Sequence, residues 1–364
     1  MLENEQDYIR TDPGQLKAAL TGLLKRYQVP EDHARLVSDV LVAADLRGIE
    51  SHGVGRLNSY YLQRLKKGLT KPDPEIKTIA DLGATFVLDA DNGLGHPPSY
   101  QAMEKCIELA ERYGVGLGGV RNSNHFGIAG YYSMMALEKD MIGICMCNTQ
   151  PAILPTYSRK KLLGTNPISI AVPAGDQYPY VLDMATSIVP LGKLQVHQRL
   201  GLPIPEGWGA DGKGKTTTDP VAALEVGGLY PLGGPAETAG YKGYGLAAAI
   251  DIFSGVLTGT GFLTGVLPAQ KSTEPCSIGH FMGAIKVDAF MEPGAFKERM
   301  DAFIHNLQNA PLAEDCEKIY VAGEKEFLQW EENMKKGAPV LPAVWSELLE
   351  LCREHDLTPP EAFS

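Results

Sequence analysis

Two short polar clusters carry the side chains best suited to chemistry. The first spans 122–127, reads Asn-Ser-Asn-His-Phe-Gly and follows the apolar run 115–120 after one residue, Arg121. An apolar run that ends in amides, a hydroxyl and an imidazole indicates a strand that stops at a polar site. His125 titrates near neutral pH and is a candidate proton carrier. A lone histidine at a sheet edge can be structural, but four polar residues are costly to bury without purpose.

The second cluster, 51–56, reads Ser-His-Gly-Val-Gly-Arg. The Arg56 guanidinium is a fixed positive fork that matches a carboxylate. Gly53 and Gly55 allow the backbone to approach a ligand closely. The competing interpretation is that His52 and Arg56 are a solvated loop pair. Together, the two clusters suggest chemistry on a small organic acid.

Two further segments predict junctions between a loop or strand and a helix. Lys242 ends a Gly-rich loop before an apolar helix, where a helix N-terminus favours an anion such as a phosphate or a substrate carboxylate. A plain Gly-rich helix start explains this segment equally well. Asp183 ends a strand, so it either caps a following helix or contacts a ligand at the carboxyl end of that strand. The segment 114–119 matches GxGxxG, but it falls within a strand, and we reject it as a dinucleotide loop.

The elements that position these clusters alternate between strand and helix in the middle of the chain. Strands are predicted at 86–89, 115–120, 141–147, 168–172, 180–184 and 280–287, and helices at 97–113, 128–139 and 244–259. The stretch 201–240 is rich in Gly, Pro and Thr and predicts a long irregular excursion. Helices are predicted at both chain ends, including one from about Arg56 to Lys67. The pattern indicates an α/β protein in which both ends form a helical domain, with limits at 1–80, 81–290 and 291–364.

Composition narrows the class of protein. The chain has 364 residues and a net charge of -11, which argues against a nucleic-acid partner. The first 15 residues are polar and acidic, unlike a signal peptide, and we find no apolar run of membrane-spanning length. The six cysteines lack CxxC or Cys/His ligand spacing, so we expect no metal site and a reduced, cytoplasmic protein.

Taken in order, these motifs resemble the type 2 malate/L-lactate dehydrogenase family, which also contains ureidoglycolate, sulfolactate and cyclic imino acid oxidoreductases. The resemblance runs from about residue 10 to about residue 310, and the NSxHFG and GTNP-to-DMATS series is specific as a set. The matching segments are Ser51-His52-Gly53, Arg56, 122–127, Gly164-Thr165-Asn166-Pro167, Asp183-Met184-Ala185-Thr186-Ser187, Gly192-Lys193 and 242–246.

The resemblance implies a non-Rossmann, NAD(P)-binding mixed-sheet domain, a homodimer, and hydride transfer between NAD or NADP and a small 2-hydroxy or 2-oxo acid. Malate/oxaloacetate or an L-lactate-like acid is the expected substrate. Carried over, His125 resembles the proton donor and acceptor, and His52 and Arg56 resemble substrate contacts. The residues that resemble cofactor contacts are Thr149, Asp183, Met184, Ala185 and Lys242.

Three alternatives stay open on the sequence. Within enzymes, the chain is also compatible with a ureidoglycolate or a cyclic imino acid oxidoreductase. Outside enzymes, it is compatible with a non-catalytic organic-acid binding protein. The residues decide neither which acid is used nor whether NAD or NADP is preferred.

Overall fold

The N-terminal part is helical and brings a π-helical turn close to the middle of the chain. The computed structural model describes residues 8–269 and 272–363. Its first elements are strand β1 (Ile9–Thr11), helices α1 (Pro13–Arg26) and α2 (Glu31–Leu46), the π-helical turn Leu57–Leu62, and helix α3 (Gln63–Lys66). The helix predicted from Arg56 is therefore part π-helix, and single π-helical turns occur frequently at functional sites.

The middle of the chain alternates between strand and helix, as the sequence predicts. Its elements are β2 (Lys77–Leu82), β3 (Thr85–Asp89), α4 (His96–Tyr113), β4 (Val115–Ser123), α5 (Ala129–Met135), β5 (Met141–Cys147), β6 (Ile168–Val172) and β7 (Tyr180–Met184). The predicted bounds of β5, β6 and β7 are confirmed. The strand predicted to end at Val120 continues to Ser123, because Ser123 pairs with Ile278, the first residue of a later strand.

The rest of the chain contains short elements within the stretch 201–240, which was predicted as irregular, and longer elements after it. The remaining elements are α6 (Leu191–Leu200), β8 (Gly209–Ala210), α7 (Pro220–Glu225), β9 (Gly228–Leu229), α8 (Tyr241–Asp251), β10 (Ile278–Lys286), α9 (Pro293–Gln308), α10 (Glu324–Lys336), β11 (Ala338–Val340) and α11 (Pro342–Glu354). Helix α8 begins three residues before the predicted start and continues as a second π-helical turn, Ile252–Val256.

One mixed sheet of seven strands carries the functional part of the molecule. Its order is β2-β3-β4-β10-β5-β6-β7. Only β3 and β4 are paired parallel within this sheet, and the other neighbouring strands are antiparallel. A doubly wound dinucleotide-binding sheet is mostly parallel. The predicted mixed-sheet, non-Rossmann α/β class is therefore confirmed.

The glycines of 114–119 serve packing. A Cβ atom at Gly116 would lie 2.1 Å from the Cys106 carbonyl oxygen of α4, and one at Gly118 would lie 2.2 Å from the Phe86 ring of β3. Since β4 has room for no side chain at these positions, the GxGxxG match reflects close strand and helix packing.

The two chain ends share one hydrophobic core. Leu16, Leu20 and Leu24 of α1 belong to the same buried cluster as Trp345 and Leu348 of α11, and β1 pairs with β11. A separate cluster under the large sheet joins Phe86, Met103 and Met282, among others. The domain limits at 80/81 and 290/291 remain a prediction.

Candidate active site

The end of β4 presents His125 to a second group of polar residues. The strand ends at Ser123, and His125 follows two residues later. Tyr61, on the π-helical turn Leu57–Leu62, places its Oη atom 2.5 Å from His125 Nδ1. The Gly127 backbone N–H donates to the same Nδ1 atom at 3.2 Å. His125 is half-buried, and these contacts fix the orientation of its ring.

The partners of Nδ1 decide where the neutral imidazole carries its proton. A backbone N–H can only donate, so the Gly127 contact favours the neutral ring whose proton is on Nε2, whereas the Tyr61 hydroxyl can donate to Nδ1 or accept from it. No hydrogen bond to Nε2 is found among residues 8–269 and 272–363. The Nε2 atom is thus available to a ligand.

The loop 51–56 lies against this histidine. The His52 and His125 rings stack with centroids 5.4 Å apart and planes 19° apart. Arg56 Nε donates to the Ser51 carbonyl oxygen at 2.6 Å, and Ser51 Oγ lies 2.9 Å from His52 Nδ1. The structure thus brings together the two clusters that the sequence singled out, although 73 positions separate His52 from His125.

The local electrostatics keep these imidazoles neutral. Burial lowers the pKa of His125 well below its ordinary value, and the neighbouring His52 and Arg56 lower it further. Burial, with a smaller contribution from Arg56, lowers the pKa of His52 to about 4. At neutral pH, Arg56 is therefore the cation beside His125, and an anionic ligand is needed to favour a protonated His125.

Sequence reasoning missed four aromatic neighbours of the site. Tyr60 lies 4.9 Å from His125 between ring centroids, and His96 packs edge-on against Tyr61 at 5.2 Å. His280 stacks on Phe126 at 4.3 Å. Strand β10 and the start of α4 flank the end of β4, which brings His280 and His96 to this site. The Tyr60-Tyr61 pair just after Arg56 was the one signal that the sequence offered.

A second group of predicted residues lies at the end of β7. Asp183 Oδ2 accepts a hydrogen bond of 2.7 Å from the backbone N–H of Gly130, the second residue of α5. The helix expected to follow Asp183 directly does not begin until Leu191. Asp183 therefore caps α5 from a distance, and the expectation that it caps the helix after it in sequence is wrong. Met184 is the last residue of β7, and Ala185 follows it.

A cavity of about 290 Å³ opens beside Asp183. Asp183 is exposed at this cavity, and desolvation by the surrounding protein raises its pKa above the ordinary value. Arg47 lines the same cavity, with its guanidinium 4.8 Å from the Phe327 ring centroid and 5.3 Å from that of Trp330. A carboxylate and a held guanidinium suit a polar ligand that carries hydroxyl groups.

Thr149 and Lys242 lie on segments linked by Asn166. The Thr149 backbone N–H donates to Asn166 Oδ1 at 3.0 Å, and the Asn166 side chain donates to the Ala247 carbonyl oxygen of α8 at 2.9 Å. Thr149 Oγ1 accepts from the Thr165 N–H at 2.9 Å. Lys242 is the second residue of α8 and is exposed. Its predicted place at a helix N-terminus is confirmed.

Other kinds of site find no support in the described part of the chain. Within residues 8–269 and 272–363, no group of three His, Cys, Asp or Glu side chains is arranged to hold a metal ion. Over the same residues, no helix is both long enough and apolar enough to span a membrane.

Comparison with known proteins decides the family. The malate/L-lactate dehydrogenase family profile matches residues 11–349. The chain belongs to this family. It is 42% identical to a malate dehydrogenase from Pyrococcus abyssi over 96% of both chains. It is 41% identical to an L-sulfolactate dehydrogenase from Methanocaldococcus jannaschii over 94% of this chain and 96% of the relative.

Solved structures agree with this assignment. The structure of malate dehydrogenase from Pyrococcus horikoshii OT3 superposes with a TM-score of 0.89 at 36% identity, covering 99% of this chain and 100% of that one. The chain is therefore an NAD(P)-dependent hydroxy acid dehydrogenase, which confirms the predicted enzyme class and cofactor. The alternative of a non-catalytic binding protein loses its support.

Proposed function

We propose that this chain interconverts a small 2-hydroxy acid and its 2-oxo acid, with malate and oxaloacetate as the preferred pair. The observation that carries the proposal is His125, whose Nδ1 is held by Tyr61 and Gly127 while Nε2 remains available beside Arg56. The 42% identity to a malate dehydrogenase supports the choice of acid. L-Sulfolactate is the second candidate, because a relative of similar identity carries that name.

Arg56 anchors the substrate carboxylate in this proposal. Its Nε atom is engaged by the Ser51 carbonyl oxygen, which orients the guanidinium and leaves the two Nη groups for a bidentate contact. His52, neutral and stacked on His125, is the second substrate contact. A neutral imidazole adds a directed hydrogen bond without a second positive charge that would lower the pKa of His125 further.

His125 moves the proton. In the oxidation of the hydroxy acid, Nε2 takes the hydroxyl proton, and in the reduction of the oxo acid it returns a proton to the carbonyl oxygen. The bound substrate carboxylate raises the pKa of His125 toward the working range, since a nearby negative charge favours the imidazolium. Substrate binding and proton transfer are therefore coupled through Arg56 and His125.

The residues near Asp183 fit the nicotinamide cofactor. NAD(P), when bound, accepts or supplies the hydride at the carbon that carries the hydroxyl. We assign Asp183 to the hydroxyl-bearing part of the cofactor, because its carboxylate lines a cavity and accepts hydrogen bonds. Lys242 is assigned to a phosphate at the N-terminus of α8. Thr149, Met184 and Ala185 complete the proposed cofactor contacts.

The assembly and location of the protein are part of the proposal. We propose a homodimer, as the family resemblance implies, in which the partner covers parts of the helical ends and of the second π-helical turn. Exposed apolar side chains on these segments include Phe303, Leu328, Ile252 and Val256, and Leu257, which directly follows the π-helical turn, is exposed too. We also propose a cytoplasmic location, which the six free cysteines support.

A cofactor-consumption panel tests the proposed function. The purified chain is incubated with NADH or NADPH and with oxaloacetate, sulfopyruvate, pyruvate, glyoxylate or a cyclic imino acid, and absorbance of the reduced nicotinamide is followed. We expect the highest kcat/KM with oxaloacetate. A higher kcat/KM with sulfopyruvate or with the cyclic imine would replace the proposed substrate. Absence of consumption with every acid would overturn the proposal.

A further inference from the structure

Tyr61 contacts the atom of His125 that faces away from the proposed substrate. Its side chain is 2% exposed, and it comes from the π-helical turn Leu57–Leu62. Its Oη atom and the Gly127 N–H are the two partners of His125 Nδ1 in the described part of the chain, at 2.5 Å and 3.2 Å. The proton-carrying role proposed for His125 uses Nε2, so these two partners control the opposite side of the ring.

The two partners differ in what they can do. The Gly127 N–H can only donate, so it favours the neutral ring whose proton is on Nε2. That tautomer has no lone pair on Nε2 and cannot take a proton from a hydroxy acid. The Tyr61 hydroxyl can donate or accept, so it is the partner able to bond with Nδ1 when Nδ1 carries a proton.

We propose that Tyr61 is a positioning residue that stabilises the proton on Nδ1 of His125 and thereby makes Nε2 competent for proton transfer. The inference rests on the proposed function, because it assigns Nε2 the substrate proton. In reduction, the imidazolium gives its Nε2 proton to the carbonyl oxygen while the cofactor supplies the hydride to carbon. The ring left behind is neutral and keeps its Nδ1–H, which donates to Tyr61 Oη. Oxidation runs through the same states in reverse.

The groups around His125 are compatible with Tyr61 as the acceptor of the Nδ1 proton. Burial raises the pKa of Tyr61 well above its ordinary value, so its hydroxyl keeps its proton and offers an oxygen lone pair to Nδ1. The titratable and charged groups that face His125 come from the 51–56 loop, the π-helical turn, α4 and β10. These groups are His52, Arg56, Tyr60, Tyr61, His96 and His280.

None of these other groups titrates in the working range. Burial lowers the pKa of His52 to about 4 and those of His96 and His280 to about 3. Burial raises the pKa of Tyr60, and Arg56 stays charged. Tyr61→Phe leaves all of these groups in place, so a shift of the pH profile in that variant reports on the contact between Tyr61 Oη and His125 Nδ1.

The test compares two buried tyrosines. Tyr61→Phe removes the hydroxyl that contacts Nδ1. Tyr132→Phe is the matched control, because Tyr132 is fully buried and its hydroxyl donates to the Phe126 carbonyl oxygen at 2.6 Å. The pH dependence of kcat for oxo acid reduction is measured for both variants, after circular dichroism has shown that they fold.

Tyr61→Phe removes the oxygen that accepts the hydrogen bond from protonated Nδ1, and the expected result follows from this loss. Without Tyr61 Oη, the imidazolium is less stable, so the midpoint of the basic limb should move to lower pH by about one to two units, the size of one charge-assisted hydrogen bond. The kcat at neutral pH should fall by about 10- to 100-fold for the same reason. Tyr132→Phe should keep the wild-type midpoint. An unshifted midpoint in Tyr61→Phe, or an equal shift in both variants, would overturn the inference.

A ¹⁵N spectroscopic measurement tests whether His125 Nδ1 carries a proton, independently of turnover. Wild-type protein with ¹⁵N-labelled histidine is saturated with NADH and with oxalate as an unreactive mimic of the oxo acid. We expect His125 Nδ1 to carry a proton in this complex, and a ring protonated on Nε2 alone would contradict the inference even if Tyr61→Phe fails to fold. If wild type reduces no oxo acid, the proposed function fails; if it reduces one with an unshifted Tyr61→Phe profile, only the role of Tyr61 fails.

Discussion

At the scale of single residues, Arg56 shows how a side chain is prepared for one ligand class. Its Nε atom donates to the Ser51 carbonyl oxygen of its own loop, and it has no ion pair with a carboxylate among residues 8–269 and 272–363. A guanidinium held on one edge presents its other edge as a two-pronged donor. This geometry matches a substrate carboxylate better than a flexible ammonium would.

We therefore predict that Arg56→Lys raises KM for the oxo acid by roughly tenfold or more, since the charge remains but the bidentate contact is lost. The Kd for NAD(P)H should stay unchanged. Steady-state kinetics and a cofactor titration measure the two effects. Arg35→Lys, at an exposed arginine that pairs with Glu31, is the control. An unchanged KM in Arg56→Lys would exclude the anchoring role.

The sequence predicts some site residues and not others for a physical reason. His125 is recognisable because its polar neighbours interrupt an apolar run. Tyr61 and His280 are not, because their contacts at the end of β4 form only when distant segments pack, and the Tyr60-Tyr61 pair alone does not predict them. Asp183 combines the two cases. The sequence predicts its place at a strand end, but its hydrogen bond with Gly130 depends on how β7 and α5 pack.

At the scale of elements, prediction succeeds where burial imposes a pattern. Strand β5 alternates between buried and half-buried residues from Met141 to Cys147, and its predicted bounds are confirmed. Strand β2 was missed, because all six of its residues are exposed and it pairs with β3 at the sheet edge. Helix α8 begins at Tyr241, not Tyr244, so Lys242 lies inside the first turn of that helix.

The position of Lys242 gives a prediction at this scale. The first turn of a helix has free N–H groups and a positive dipole end, and Lys242 adds a full charge. Lys242→Ala should weaken cofactor binding by about 1.5–3 kcal/mol, the scale of one charged hydrogen bond. The loss should shrink as salt rises, because screening weakens the pair.

Fluorescence titration of wild type and Lys242→Ala with the cofactor, at low and high salt, checks this prediction. Lys160→Ala, at another exposed lysine, serves as the control for a general loss of positive charge. Equal affinities of wild type and Lys242→Ala would remove Lys242 from the cofactor site.

At the scale of the whole molecule, sheet order explains how distant segments form one site. Strand β10 lies between β4 and β5, which places His280 opposite Val120 and Cys147 and so close to the end of β4. The N-terminal π-helical turn supplies Tyr60 and Tyr61 to the same point. Local sequence could predict the strands, but the order in which they pair depends on long-range packing.

The exposed apolar side chains lead to a prediction about assembly. We expect light scattering at low micromolar concentration to give about twice the chain mass of 39.3 kDa, because symmetric dimers are the commonest assembly and cover such patches. A double variant, Val256→Asp with Leu257→Asp, should shift the population toward monomer if the second π-helical turn is in the contact. A wild-type mass of about 39 kDa would contradict the homodimer.

The most direct test of the central claim is the turnover of His125→Ala with oxaloacetate and NADH. The account predicts that kcat falls by roughly two to four powers of ten, the usual contribution of a positioned proton carrier. Cofactor affinity should be unchanged, and His33→Ala, in the first turn of helix α2, should retain wild-type turnover. Near-normal turnover of His125→Ala would show that His125 is not the proton carrier.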